Sequence, residues 1–169
     1  MAGDGTTLLL MDANVLIDFL DSDDSIFGLA SEHIGRVHVP TLILEEELTH
    51  QGDRDWAALG IHAVEPSLDV LARAARPTVG LSFQDKLCLL LAKERGWTCV
   101  TNDKRLRREC KGAFVSVMWG LELVAILVER DALPALDAER VARAIQVANT
   151  FITPALLARF LKRVRGHQS

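Results

Sequence analysis

"SFQDKLCLLLAKERGWTCVTND", residues 82–103, decides the fold. Ser82 is a helix N-cap, Asp85 three residues on completes the S-x-x-D/E capping-box form, and Gly96 is a natural stop. The next residues, Thr98 to Val100, are a short apolar strand that breaks off on Thr101, Asn102 and Asp103. A helix that feeds directly into a buried strand is one unit of an α/β domain. The cations that follow Asp103, namely Lys104, Arg105, Arg107 and Arg108, are more than a turn requires.

The same alternation continues outward in both directions. "TTLLLMD" reads as a strand, followed by a helical segment from about Asn14, an acidic turn "DSDDS" and a second helical stretch to about Gly35. "RVHVP" is a second strand, and Pro40 and Thr41 open a helix through "LILEEELTH". "GIHAVEP" is a third strand and "SLDVLARAA" a short helix, while "TCVT" and "FVSVMW" are the fourth and fifth strands. Residues 120–166 read as three helices broken near Pro134 and Pro154. This pattern predicts a three-layer α/β/α sandwich around a five-stranded parallel sheet, with residues 1–119 as its core and 120–169 as a helical extension packed on the same domain. In such sheets ligands bind outside the carboxyl ends of the strands. Asp12 ends the first strand and Asp103 follows the fourth, so both belong on that edge.

At 169 residues and 49% hydrophobic content, the chain fits one soluble domain. Its longest apolar runs, "TTLLLM" and "LVAILV", are too short to span a membrane, which predicts a cytoplasmic protein. Cys88, Cys99 and Cys110 lack zinc-ligand spacing, and His33, His38, His50, His62 and His167 read as structural or surface residues. The net charge of −4 hides a division: residues 1–70 carry −12 and residues 71–169 carry +8. An acidic centre beside an anion-attracting surface would produce such a split.

Carboxylates gathered at one sheet edge repel one another unless a cation neutralises them. All-oxygen ligands suit Mg²⁺ or Mn²⁺, which can orient and activate a water for attack on phosphorus. Each acid also has a plainer reading. Asp12 and Asn14 can cap the first helix, Asp85 its own helix, and Asp103 can be a turn residue. In "ILEEEL", helical spacing puts Glu46 between Leu42 and Ile43 and Glu47 between Ile43 and Leu44, both inside the apolar arc, with Glu45 at its margin.

"MDANVLIDFL", "VPTLILEEEL", "LSFQDKLCLLLAKERGWTCVTND" and "FVSVM", in this order and spacing, resemble the PIN-domain family of metal-dependent ribonucleases, which includes the VapC-type toxins of type II toxin-antitoxin systems. The match covers about Leu8 to Trp119. The resemblance implies an acidic centre of Asp12, Glu46, Asp85 and Asp103, with Glu47 as the other acid that the "EEE" run allows. It implies polar assistance from Asn14 and from Thr101 or Asn102. It also implies neighbouring first and fourth strands and cleavage of single-stranded RNA with one or two Mg²⁺ or Mn²⁺ ions. Asp12, Asp85 and Asp103 would bind metal directly, Glu46 would help as a ligand or through a water, and Lys104, Arg105, Arg107 and Arg108 would contact phosphates. A small antitoxin protein and a homodimer are the partners it implies.

Family toxins usually end soon after the fifth strand, whereas here about 50 residues follow Trp119. In "TPALLARFLKRVRG", Leu156, Phe160 and Val164 form one stripe with Leu157 and Leu161 beside it, a face for packing on the domain or at a subunit contact. Three rivals stand beside the nuclease. A phosphatase using Asp12 as nucleophile would carry a second Asp where Asn14 stands, and a nucleotide-binding module would carry a glycine-rich phosphate loop, which is absent. The third is a PIN-like module that binds RNA or protein with little turnover.

Overall fold

The computed structural model describes residues 7–167. Its sheet has five parallel strands: β1 (Thr7–Met11), β2 (Gly35–Pro40), β3 (Ile61–Val64), β4 (Thr98–Val100) and β5 (Val117–Met118), in the order β3-β2-β1-β4-β5. The three-layer α/β fold expected from the alternating pattern is the one formed.

Between β1 and β2 run α1 (Ala13–Ser22) and α2 (Ser25–His33), and α3 (Thr41–Gln51) follows β2. The return from β3 to β4 carries α4 (Leu68–Ala74) and α5 (Phe83–Arg95), and α6 (Lys104–Gly112) links β4 to β5. Helices α4, α5 and α6 pack in sequence on one side, with α5 against β1 and β4, while α2 lies on β2 and β3. β1 is central and buried on both faces, with Leu9, Leu10 and Met11 fully enclosed, which is why this strand is a continuous apolar run.

Local chemistry sets the boundaries of α5. Ser82 Oγ accepts from Asp85 N–H (3.1 Å), Asp85 Oδ2 accepts from Ser82 N–H (2.9 Å), and Gly96 closes the helix in the left-handed conformation at φ 69°. Ser82→Ala is therefore expected to cost about 1 kcal/mol of stability, read as a lower midpoint in urea unfolding with an unchanged slope.

Beyond β5 the chain forms α7 (Gly120–Glu129), α8 (Ala135–Ala148) and α9 (Pro154–Gly166). Thr153 caps α9 and Pro154 occupies its first turn, where a missing N–H costs nothing. Helix α7 packs on α2, α8 on α1, and α9 against both α7 and α8. Leu157, Phe160 and Val164 are the buried side of α9, so the apolar stripe faces the protein's own helices, with Leu156 and Leu161 partly buried beside it. Bidentate pairing of Arg163 with Glu129 (2.6 and 2.9 Å) ties α9 to the end of α7.

The fifth strand is shorter than "FVSVMW" predicts. Phe114 has a positive φ of 60° and a fully solvated side chain, so the chain is still turning there, and only Val117 and Met118 pair as a strand, at the sheet edge.

Candidate active site

The strand order reverses between β1 and β4, and the candidate site lies at the carboxyl ends of those two strands. Asp12 N–H donates to Val100 C=O (3.1 Å), which continues the β1–β4 register one residue beyond β1 and sets Asp12 beside Thr101. Asp12 is 4% exposed. Its Oδ1 caps α1 by accepting from Val15 N–H (2.8 Å), and its Oδ2 accepts from the Thr101 hydroxyl. That hydroxyl also accepts from Asp103 N–H (3.1 Å), so one threonine fixes both the acid of β1 and the backbone after β4.

Burial pushes the Asp12 carboxyl up to about 7; the bonds from Thr101 and Val15 pull it back down, and the charges of Asp85 and Asp18 push it further up. Asp85 and Asp18 are thus near enough to act on Asp12 through space. None of Asp12, Asp18, Asp85 and Asp103 forms an ion pair with a cationic side chain among the described residues. Lys86, next to Asp85, is buried and donates instead to the Arg76 carbonyl.

Two of the expected acids are turned toward their own helices. Asp103 Oδ1 caps α6, accepting from Arg105 N–H (2.7 Å) and Leu106 N–H (3.4 Å), while Asp85 is held in its capping box. Among the described residues, no group of three or more His, Cys, Asp or Glu side chains stands close enough to hold a metal ion. The single ion-capturing pocket of four acids expected from the sequence is therefore not formed by these side-chain positions. The reason is local: helix N-termini with free N–H groups lie at this edge, and each aspartate serves the one nearest to it.

The "EEE" run also differs from its helical reading. Leu42 is 38% exposed, so the buried arc of α3 is centred on Ile43, Leu44 and Glu47, and Glu46 falls outside it. Glu46 is solvent-exposed and accepts from Gln84, beside Asp85. Glu47 is the buried acid; its carboxyl is raised by burial, lowered by His50, and raised again by Glu46 and Asp21.

Of the other expected residues, Thr101 and Asn102 are buried at the edge and Asn14 is exposed. Lys104 and Arg108 are exposed on α6. Arg105 Nη1 donates to Gly80 C=O (2.9 Å), fastening α6 to the loop before α5, and Arg107 lies over the Trp119 ring at 3.9 Å.

Sequence reasoning missed Asp18. Its Oδ2 accepts from Asn149 (2.7 Å) and Asn102 (3.2 Å), and burial raises its carboxyl to about 6 against those two bonds. Asn102 Oδ1 in turn accepts from Gly120 N–H (2.9 Å), an approach that a side chain at Gly120 would crowd, since its Cβ would lie 3.1 Å from Asn102 Nδ2. Asp18, Asn102 and Asn149 thus join α1, the β4 edge and the end of α8. A helical wheel of α1 places Asp18 next to the buried Val15 and Phe19 stripe, but its partners lie 84 and 131 residues away, beyond any local pattern.

Among solved structures, the chain is similar to the PilT N-terminus domain protein SSO1118 from the hyperthermophilic archaeon Sulfolobus solfataricus P2, at 16% identity and a TM-score of 0.51, over 71% of this chain and 92% of that one. The chain has the PIN fold. It is also similar to PAE2754 from Pyrobaculum aerophilum, at 24% identity and a TM-score of 0.47, over 79% of this chain and 96% of that one. No protein-family model and no curated protein sequence matches the chain. On the PIN fold the β1–β4 edge of this chain carries one deeply buried acid, Asp12, and nearby acids without cationic partners among the described residues. No described helix is long and apolar enough to cross a membrane.

Proposed function

We propose that this protein is a metal-dependent endoribonuclease that hydrolyses phosphodiester bonds in single-stranded RNA. One observation carries the reading: Asp12 is buried at the strand-order reversal with two other aspartates close by and, among the described residues, no cationic side chain paired with them. A carboxyl held near 7 by burial is poised to exchange its proton for a cation. The donor chemistry fits a hard divalent ion, because carboxylates and a hydroxyl supply oxygen and no described thiol or imidazole lies in the set. Asp12 and Asp85 would hold Mg²⁺ or Mn²⁺, with Asp103 joining them in place of its cap on α6. When bound, the ion would activate a water and stabilise the leaving oxygen. Thr101 orients Asp12 and holds the Asp103 backbone, and Lys104 and Arg108 offer exposed charge to phosphates. Glu46, tied to Gln84 beside Asp85, would assist from outside the buried set. The finer reading is a homodimeric VapC-type toxin paired with a small antitoxin protein, which rests on the motif resemblance, and a cytoplasmic location, which rests on the shortness of the apolar runs.

A second reading is a PIN-like module that binds RNA or protein with little turnover. It is favoured by the capping roles of Asp85 and Asp103, which leave no three-acid group assembled among the described residues. One experiment separates the two: the purified protein is incubated with a labelled single-stranded RNA in Mn²⁺ or in EDTA. Cleavage in Mn²⁺ that stops in EDTA is the expected result. Cleavage that persists in EDTA removes the metal, and retention of intact RNA in Mn²⁺ favours the binding module.

A further inference from the structure

A cavity of about 370 Å³ lies where α7 and α9 meet α6, beside the β4–β5 edge. That volume is within the usual range for small-ligand sites, about 300–1,000 Å³. Its walls divide by chemistry. Trp119, Leu121, Leu156 and Phe160 supply an aromatic and aliphatic surface, while Arg107, Arg159 and Arg163 bring three guanidinium groups against the single carboxylate of Glu122. The three cations are not equally committed. Arg163 is taken by Glu129, whereas Arg159 is exposed and makes no ion pair among the described residues. Arg107 lies over the Trp119 ring at 3.9 Å, and its Nη1 is buried without a hydrogen-bond partner among the described residues. A buried donor left unpaired is costly, and more so when charged, so an anionic acceptor there would be rewarded. Asn102 belongs both to the cavity wall and to the Thr101–Asp103 segment that fixes Asp12, so the cavity adjoins the acidic edge.

We propose that this cavity is a nucleotide subsite, seating one nucleotide of the single-stranded RNA next to the acidic centre, with its base on the Trp119–Phe160 wall and its phosphate on Arg107 and Arg159. The choice of RNA as ligand rests on the ribonuclease reading. Neither half of the cavity alone explains the other: a bare inorganic anion would leave the aromatic wall unused, and a neutral apolar ligand would leave the arginines unpaired. A nucleotide uses both, and base contact with aromatic side chains tolerates any sequence. The helices after β5 thus gain a role, because α7 and α9 provide most of this wall.

The test is calorimetric titration with AMP, adenosine and inorganic phosphate in EDTA, where no metal can draw phosphate to the acids. AMP is expected to bind at least tenfold more tightly than adenosine or phosphate, and Arg107→Ala and Arg159→Ala are each expected to weaken it about tenfold. Arg159 is solvent-exposed, so Arg159→Ala keeps its fold even if Arg107→Ala does not. In RNA cleavage, Arg159→Ala should raise KM about tenfold with kcat nearly unchanged. AMP binding no tighter than that of phosphate, or unaffected by Arg159→Ala, would overturn the subsite. RNA cleavage with an unaltered KM in Arg159→Ala would also overturn it while leaving the nuclease standing. Arg159-dependent AMP and RNA binding in a protein that never cleaves RNA would support the subsite and sink the nuclease.

Discussion

Asp12→Asn is expected to lower Mn²⁺-dependent RNA cleavage by more than about 100-fold while leaving the fold intact. The lower bound follows from metal sites in general, where losing a residue that merely supports a ligand costs about 10- to 100-fold, so losing a ligand should cost more. The fold should survive because Asn replaces both structural bonds of Asp12. Its Oδ1 can accept from Val15 N–H, and Asn caps helices as well as Asp does. Its Nδ2 can donate to the Thr101 hydroxyl, which now donates to Asp12 and accepts from Asp103 N–H. The substitution also removes a charge that burial disfavours, so the metal-free variant should melt above the wild type at pH 8. Initial cleavage rates and melting curves on the same preparations check both halves. An active Asp12→Asn variant would refute the site; an inactive variant that melts lower would show that activity was lost through the fold.

The double use of Asp12 explains how far the sequence could be read. Elements whose ends are set by neighbouring residues were legible: Ser82, Asp85 and Gly96 define α5, and Thr153 and Pro154 define the start of α9, through bonds that span a few residues. The same short-range bonds made the site ambiguous, since an aspartate that caps a helix and one that binds a metal look alike in sequence. Both readings of Asp12 are compatible with its place in the structure, whereas Asp85 and Asp103 are seen only as caps. Glu46 and Glu47 could not be separated because the wheel treats every apolar residue as inward. Leu42, exposed at the surface, moves the buried arc of α3 by one residue. Asp18 was invisible for a different reason: Asn102 becomes its partner only once β4 lies beside β1, and Asn149 only once α8 has packed on α1.

Without divalent cation, raising the pH from 5 to 8 is expected to destabilise the protein by roughly 3 kcal/mol, and Mn²⁺ should restore most of that loss at pH 8. The sign follows from proton counting. The Asp12 carboxyl stands at 3.8 in an unfolded chain and at about 7 when folded, so between about pH 4 and 7 the native state holds a proton that the unfolded state has released. Stability then falls as pH rises through that window and levels off above it. Asp18, raised to about 6, and Glu47, also raised, act in the same direction; Asp18 is partly exposed, which makes its share smaller. His38 opposes them: burial lowers its folded value, so its contribution grows as pH rises toward 6.5. The difference between wild type and Asp12→Asn isolates the Asp12 share, because the other groups remain in both. Manganese reverses the trend because it binds the ionised carboxylate, and at 100 times its dissociation constant it adds about 2.7 kcal/mol. For a domain of this size that is roughly 5–11 °C in melting temperature at pH 8, and the gain should shrink toward pH 5 as protons compete for Asp12. A melting temperature flat with pH and indifferent to Mn²⁺ would mean that Asp12 is a helix cap and nothing more, and the binding-module reading would then be the better account of this edge.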